Sequence, residues 1–274
     1  MTEFLALVTA VGYGTSGFLG GLAATRRHAA GVVAWSQLLG LPVLAVGIAV
    51  VPAPGVAAGD LALGAAAGLA SLLGLTLMYQ ALAAGRMAVA APVAGAVGAT
   101  GPVIVDLAAG NGLSRPQTVG IVLAVAAILV VGAERLADLG DPVVGKALLA
   151  GAFVAAFFVA LHATGEDAGL VPLLGTRAVT VPLGLLVAAR NGAAGRPARS
   201  EFAPLAAIGV VDMTATVAIA LALQHGPLGV SSVLASLSPA VTVVLAAVVR
   251  RERPTTRQWI GVAAAVVAVA LLSL

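Results

Sequence analysis

Apolar residues run along this chain in long unbroken blocks, and the polar residues between them are bunched into short connections. Blocks of membrane-spanning length occupy 4–24, 31–51, 61–83, 87–110, 117–133, 143–163, 170–189, 204–224, 228–249 and 257–273. A bilayer core of about 30 Å needs about 20 apolar residues in a helix, because each residue rises about 1.5 Å. Lipid offers no partner to an open backbone N–H or C=O, so each block is expected to be helical. The connections are rich in Gly, Pro, Asn or charge, as at Pro52–Asp60 and Arg190–Glu201, and the acidic segment Glu134–Pro142 joins two halves.

Those halves repeat. Gly85 to Gly120 recurs as Gly226 to Gly261 with the same glycine-to-glycine spacing, and Gln117-Thr118-Val119-Gly120 matches Gln258-Trp259-Ile260-Gly261. Nearer each start, Ser36-Gln37-Leu38-Leu39-Gly40-Leu41-Pro42 aligns with Thr176-Arg177-Ala178-Val179-Thr180-Val181-Pro182. The offset is 141 residues in the first case and 140 in the second. Five blocks per copy send the second copy into the membrane from the opposite side. Inverted repeats around a midplane site are a common architecture of secondary transporters.

Composition agrees. Hydrophobic residues make up 61% of the chain and charged residues 9%, which excludes an ordinary soluble domain. Small residues, including Gly17-x-x-x-Gly21 and Gly64-x-x-x-Gly68, let helix backbones approach. Without cysteine the chain has no disulfide framework and no thiol chemistry, and a net charge of +3 without a basic stripe speaks against nucleic acid. Glu3 precedes the first block and Arg26-Arg27 follow it, the reverse of a secretory leader, so this block reads as a retained span. Twelve of the fourteen Lys and Arg residues lie in odd-numbered connections, Arg115 alone in an even one, and Arg177 inside a span. The positive-inside rule then puts odd connections in the cytoplasm and both termini outside the cell membrane.

The stretch Ala222-Leu223-Gln224-His225-Gly226-Pro227-Leu228-Gly229-Val230-Ser231-Ser232 through Leu237-Ser238-Pro239-Ala240 resembles the second repeat of the EamA family, within the drug/metabolite transporter superfamily. Arg251-Glu252-Arg253 and Gln258-Trp259-Ile260-Gly261 fit that family's basic-acidic-basic turn and final helix, and Tyr79-Gln80-Ala81-Leu82 is similar to its third span. The resemblance implies an all-α polytopic membrane protein with ten transmembrane helices as two inverted five-helix EamA-like repeats, residues 1–140 and 141–274. It also implies a carrier, mostly an exporter, of small metabolites. The first repeat departs from the pattern: Val97-Gly98 stands where the second has Ser238-Pro239, and Gln37 stands where the family's arginine is kept as Arg177.

Ionisable side chains inside a span cost about 2.5–3.5 kcal/mol on insertion scales and are functional candidates by default. Arg177 and Asp212 lie on consecutive antiparallel spans at depths about 6–10 Å apart, within reach of an arginine side chain. Either they pair during a transport cycle, with substrate or a proton competing for Asp212, or they form a fixed ion pair, or Arg177 snorkels to the surface. Asp106, four residues from the end of its span, is expected to be solvated, and His162 and His225 interfacial. Tyr13, Trp35, Gln37 and Tyr79 complete the candidate substrate-binding set with Arg177 and Asp212, Trp35 being equally well placed as an interfacial anchor. Asp212 is the candidate coupling group. Pro42 and Pro182 occupy equivalent places and are candidate hinges.

A secondary carrier exporting a small metabolite by alternating access is the function expected. An importer of a small solute or a flippase of a lipid-linked sugar is the alternative. No Walker-type glycine-rich loop with lysine occurs, so ATP drive is excluded, and scattered ionisable residues argue against an intramembrane enzyme. No cofactor or metal is expected. The partners are a small-molecule substrate and the lipid bilayer, and a monomer would suffice while leaving room for a dimer.

Overall fold

The computed structural model describes residues 1–84, 87–110, 112–132, 142–190, 197–249 and 255–272. The acidic joint between the halves and the Arg251-Glu252-Arg253 turn lie outside the described residues. Among those described the chain is helical, without strands: α1 (Thr2–Ala24), α2 (Ala29–Leu39), α3 (Leu41–Val50), α4 (Ala58–Ala83), α5 (Met87–Ala108), α6 (Arg115–Gly132), α7 (Pro142–His162), α8 (Pro172–Arg190), α9 (Arg199–His225), α10 (Leu228–Ala235), α11 (Ser238–Val249) and α12 (Thr256–Leu272). A 3-10 turn spans Glu166–Ala168. With α2–α3 and α10–α11 each taken as one rod, 7 stretches among the described residues are long and apolar enough to cross a membrane. They are α1, α2–α3, α4, α7, α8, α9 and α10–α11.

Burial is arranged for lipid rather than water. Large side chains such as Val46, Val50, Ile104, Leu107, Leu149 and Val248 look outward, while Ala, Gly and hydroxyl residues fill much of the interior. Small inward residues let helices approach closely. A Cβ added at Gly68 on α4 would lie 2.6 Å from the Thr176 carbonyl oxygen on α8, and one at Gly209 on α9 would overlap the Ser36 carbonyl oxygen on α2. Gly64-x-x-x-Gly68 thus serves the crossing of α4 and α8, since Gly64 is tighter still against the Pro172 carbonyl. Gly17, by contrast, has open space beside it.

Helix starts and stops follow local chemistry. Asp60 accepts a hydrogen bond from the Ala57 N–H at 2.8 Å at the start of α4, and Glu201 accepts from the Ala198 N–H at 2.7 Å at the start of α9. Each carboxylate satisfies an N–H that the helix leaves open and favours the positive end of the helix dipole. Gly110, at φ 83, ends α5 in the left-handed region that a glycine adopts without steric penalty. The prolines act unequally. Pro42 sits in the first turn of α3, just past the interruption at Gly40, whereas α8 continues through Pro182. α10 and α11 are divided at Ser236–Leu237, ahead of Pro239, while α5 runs unbroken through Val97-Gly98.

Two groups of helices face each other. α1 packs on α9, α10 and α11; α7 packs on α4 and α5; α2 and α8 lie together along one flank and α6 and α12 along another. Each group is stapled at one end. Arg27, in the α1–α2 turn, donates to both oxygens of Glu201 at 2.6 and 2.5 Å, and those hydrogen bonds raise its pKa. Asp60 on α4 accepts the Gly165 N–H beyond α7 at 2.9 Å.

Candidate functional site

Between the two groups lies a cavity containing about 910 Å³ of empty space, part of it open to the outside. Its walls come from α1, α4, α5, α7, α9 and the break between α10 and α11. It occupies the half of the bundle where α4 ends and α5 begins, since Leu82 and Ala91 line it while the opposite halves of those helices do not. Clefts with an apolar lining and a few polar groups are typical of small-molecule sites.

Asp212 lines the cavity from the middle of α9. One of its oxygens lies 3.9 Å from an Arg177 nitrogen, and both side chains are more than nine-tenths buried. That separation exceeds a hydrogen bond, and the guanidinium turns its donors elsewhere: to the Gln37 side-chain oxygen and to Met213 Sδ at 3.4 Å. Ser16 lines the cavity from α1, its hydroxyl donating to the Tyr13 carbonyl at 3.4 Å. The Tyr13 and Thr216 hydroxyls are 3.3 Å apart, and Thr216 also donates to the Asp212 carbonyl at 2.8 Å. The Tyr79 ring is 1% exposed and fits over Gly20, where a Cβ would collide with it.

Of the six residues expected at a substrate site, Tyr13, Tyr79 and Asp212 line this cavity, whereas Trp35, Gln37 and Arg177 do not. Arg177 and Gln37 stand behind Asp212, in the seam between α2 and α8, because that face of each helix is turned to the other. Trp35 is turned away from the cavity and packs edge-on against Phe202 with ring centroids 6.4 Å apart. Pro42 and Pro182 are also outside the lining. The expectation for Asp106 is corrected: it is 3% exposed and accepts the Gly229 N–H at 2.9 Å, because the start of α10 crosses over the end of α5. His162 Nδ1 lies 2.6 Å from the Leu223 carbonyl oxygen, so its place is fixed by α9.

Several lining residues escaped sequence reasoning. Thr216 follows Asp212 by four residues and so shares its helix face, a signal that was available. Ser71 is the counterpart of Asp212 at the 141-residue offset. Ser236 and Thr242 carried no signal, because only the α10–α11 break brings them to the cavity.

Comparison with known proteins places this geometry. No curated protein matches the chain. A solved crystal structure shares 18% identity with a TM-score of 0.67 and covers 100% of this chain and 98% of its own, a likeness of fold. The sequence profile described as the EamA-like transporter family matches residues 143–274. Residues 143–274 of this multi-pass helical chain thus carry the signature of the EamA-like transporter family.

Proposed function

We propose that the chain is a ten-span secondary carrier, built as two inverted five-helix repeats (1–140 and 141–274), that exports a small solute through the cavity at Asp212 by alternating access. The observation that carries the reading is that close contacts recur under the sequence repeat. Gly209 against the Ser36 carbonyl has its counterpart in Gly68 against the Thr176 carbonyl, at offsets of 141 and 140. Gly12 against Ala215 has its counterpart in Phe153 against Gly74, both at 141. Helix neighbours follow suit: α1 on α9 corresponds to α4 on α7, and α2 meets its own counterpart α8. Inverted repeats packed in this way support rocking of one group against the other around a fixed site.

The hydrogen bonds support a direction for that motion. Asp106 to Gly229, His162 to Leu223 and Gln224 to Gly169, the last at 2.9 Å, join the two groups at the end away from the cavity. The Arg27–Glu201 and Asp60–Gly165 staples each hold one group together. Opening the far end therefore means releasing the first set while each group moves as a body. By the charge rule the cavity opens to the cytoplasm, the side from which an exporter loads. Asp212 is the proposed coupling group, being the one carboxylate among the described lining residues.

The test is to compare small molecules in cells and medium of a transporter-depleted bacterium carrying the intact chain or Asp212→Asn at matched membrane levels. A compound enriched outside only with the intact chain supports export. Its depletion from the medium would reverse the direction, and an unchanged set of solutes would overturn the reading.

A further inference from the structure

Resting on the carrier reading, the repeat exposes a chemical polarity in the cavity. Equivalent lining positions, all 141 residues apart, carry different chemistry in the two walls. Tyr13 on α1 faces the place of Val154 on α7, Ser16 that of Phe157, and Thr216 on α9 that of Leu75 on α4. Asp212 corresponds to Ser71 and Ser236 to Gly95. At each of these five positions the wall of α1, α9 and the α10–α11 break carries the more polar residue, while Ala94 and Ala235 are alike. Phe157 and Phe158, with Met78 and Leu82, make the other wall apolar.

We infer that the transported solute is an amphipathic amine, held with its ammonium at Asp212 and its apolar body against Phe157 and Phe158, and that Gly17 sets the size of that body. A carboxylate accepts hydrogen bonds and cannot donate them, so the lone charged group among the described lining residues selects a donor. Arg177 does not saturate it: at 3.9 Å the guanidinium makes no hydrogen bond to Asp212 and is committed to Gln37 and Met213. The same lining carries further hydroxyls. The Ser236 hydroxyl is buried without a partner among the described residues, and buried polar atoms are nearly always satisfied in a finished assembly, so a ligand group at that place would complete it. An ammonium, with three N–H donors, suits a carboxylate in a lining that also carries hydroxyls.

Gly17 completes the argument. It lines the cavity, a Cβ there would meet nothing within 4 Å, and its counterpart in the apolar wall is the bulky Phe158. A side chain added at 17 therefore takes room from the solute and not from the fold.

The experiment reads thermal unfolding of the detergent-purified full chain with 2-phenylethylamine, 2-phenylethanol or 3-phenylpropanoate at one concentration, since a ligand of the folded state raises the midpoint. The amine is expected to give the largest rise and the carboxylate none. Asp212→Asn should weaken amine binding about tenfold, the loss of one charge-assisted hydrogen bond, and leave the alcohol unchanged. Should that variant fold poorly, Ser236→Ala tests the same head position. Gly17→Val should bind 2-phenylethylamine yet lose at least tenfold for 2-(1-naphthyl)ethylamine. Equal rises with amine and alcohol, a larger rise with the carboxylate, or none with any of the three would overturn the inference. Because unfolding midpoints report binding without transport, those outcomes leave the carrier reading standing; that reading falls only on the solute comparison in cells.

Discussion

Removing the cation behind Asp212 is the most direct perturbation of the site. At 3.9 Å and an effective dielectric of about 20, the attraction between Arg177 and Asp212 is about 4 kcal/mol. Both side chains are more than nine-tenths buried, so little of it is screened by solvent. Each ion has also lost its hydration, which offsets much of the attraction. The net worth of the pair is therefore small, while the loss of one partner is large. Arg177→Met should cost about 3–5 kcal/mol by leaving a buried carboxylate uncompensated, and Asp212→Asn a similar amount by stranding the guanidinium. The double variant should return close to the parent stability. Denaturant unfolding of all four proteins in one detergent gives the coupling energy, expected at about 6–10 kcal/mol, the sum of the two single losses that the double variant avoids. A double variant whose loss equals the sum of the singles, with coupling below about 0.5 kcal/mol, would refute the claim that these charges depend on each other.

Gly68→Ala and Gly209→Ala should each destabilise by about 1–3 kcal/mol, as overpacking does, and by similar amounts, since each Cβ meets a carbonyl of the neighbouring helix; unfolding midpoints check both. Asp106→Ala strands the Gly229 N–H and removes a contact between the two groups, for about 1–1.5 kcal/mol or roughly a tenfold shift in population. In this cysteine-free chain, Ser71→Cys should then react faster with an impermeant thiol reagent added from the end opposite the cavity mouth. Glu201→Gln releases Arg27 and should loosen the α1–α2 turn, read as faster amide exchange at 25–28, with salt reducing the difference between variant and parent.

The helices were legible because lipid imposes a single rule, a run of about 20 apolar residues, and 7 of the ten blocks read from the sequence are membrane-length helices among the described residues. Their neighbours were not. Asp106 lies close enough to its helix end to suggest water, and only the crossing of α10 buries it. Trp35 and Gln37 lie two residues apart and so face different directions on one helix, a distinction that depends on which helix packs where. Tyr13 and Asp212 could be singled out as polar groups in apolar runs. The hydroxyls of Ser236 and Thr242 could not, because serine and threonine also bond to their own helix backbone, as Thr242 does to the Ser238 carbonyl at 3.2 Å.

The hydrogen bond between Gln37 and Arg177 has an evolutionary consequence. The two residues occupy the same place in the two copies, so on the proposed pseudo-symmetry axis that place meets itself. An ancestral homodimer of one copy would have set arginine against arginine there, two like charges in a low dielectric, or glutamine against glutamine, with no cation for the acid behind. On the proposed repeat, fusing the copies lets one keep the charge and the other supply its acceptor. Position 37/177 is then a place where the two copies must differ for the buried cation to meet an acceptor, and a self-pairing half would have to change it.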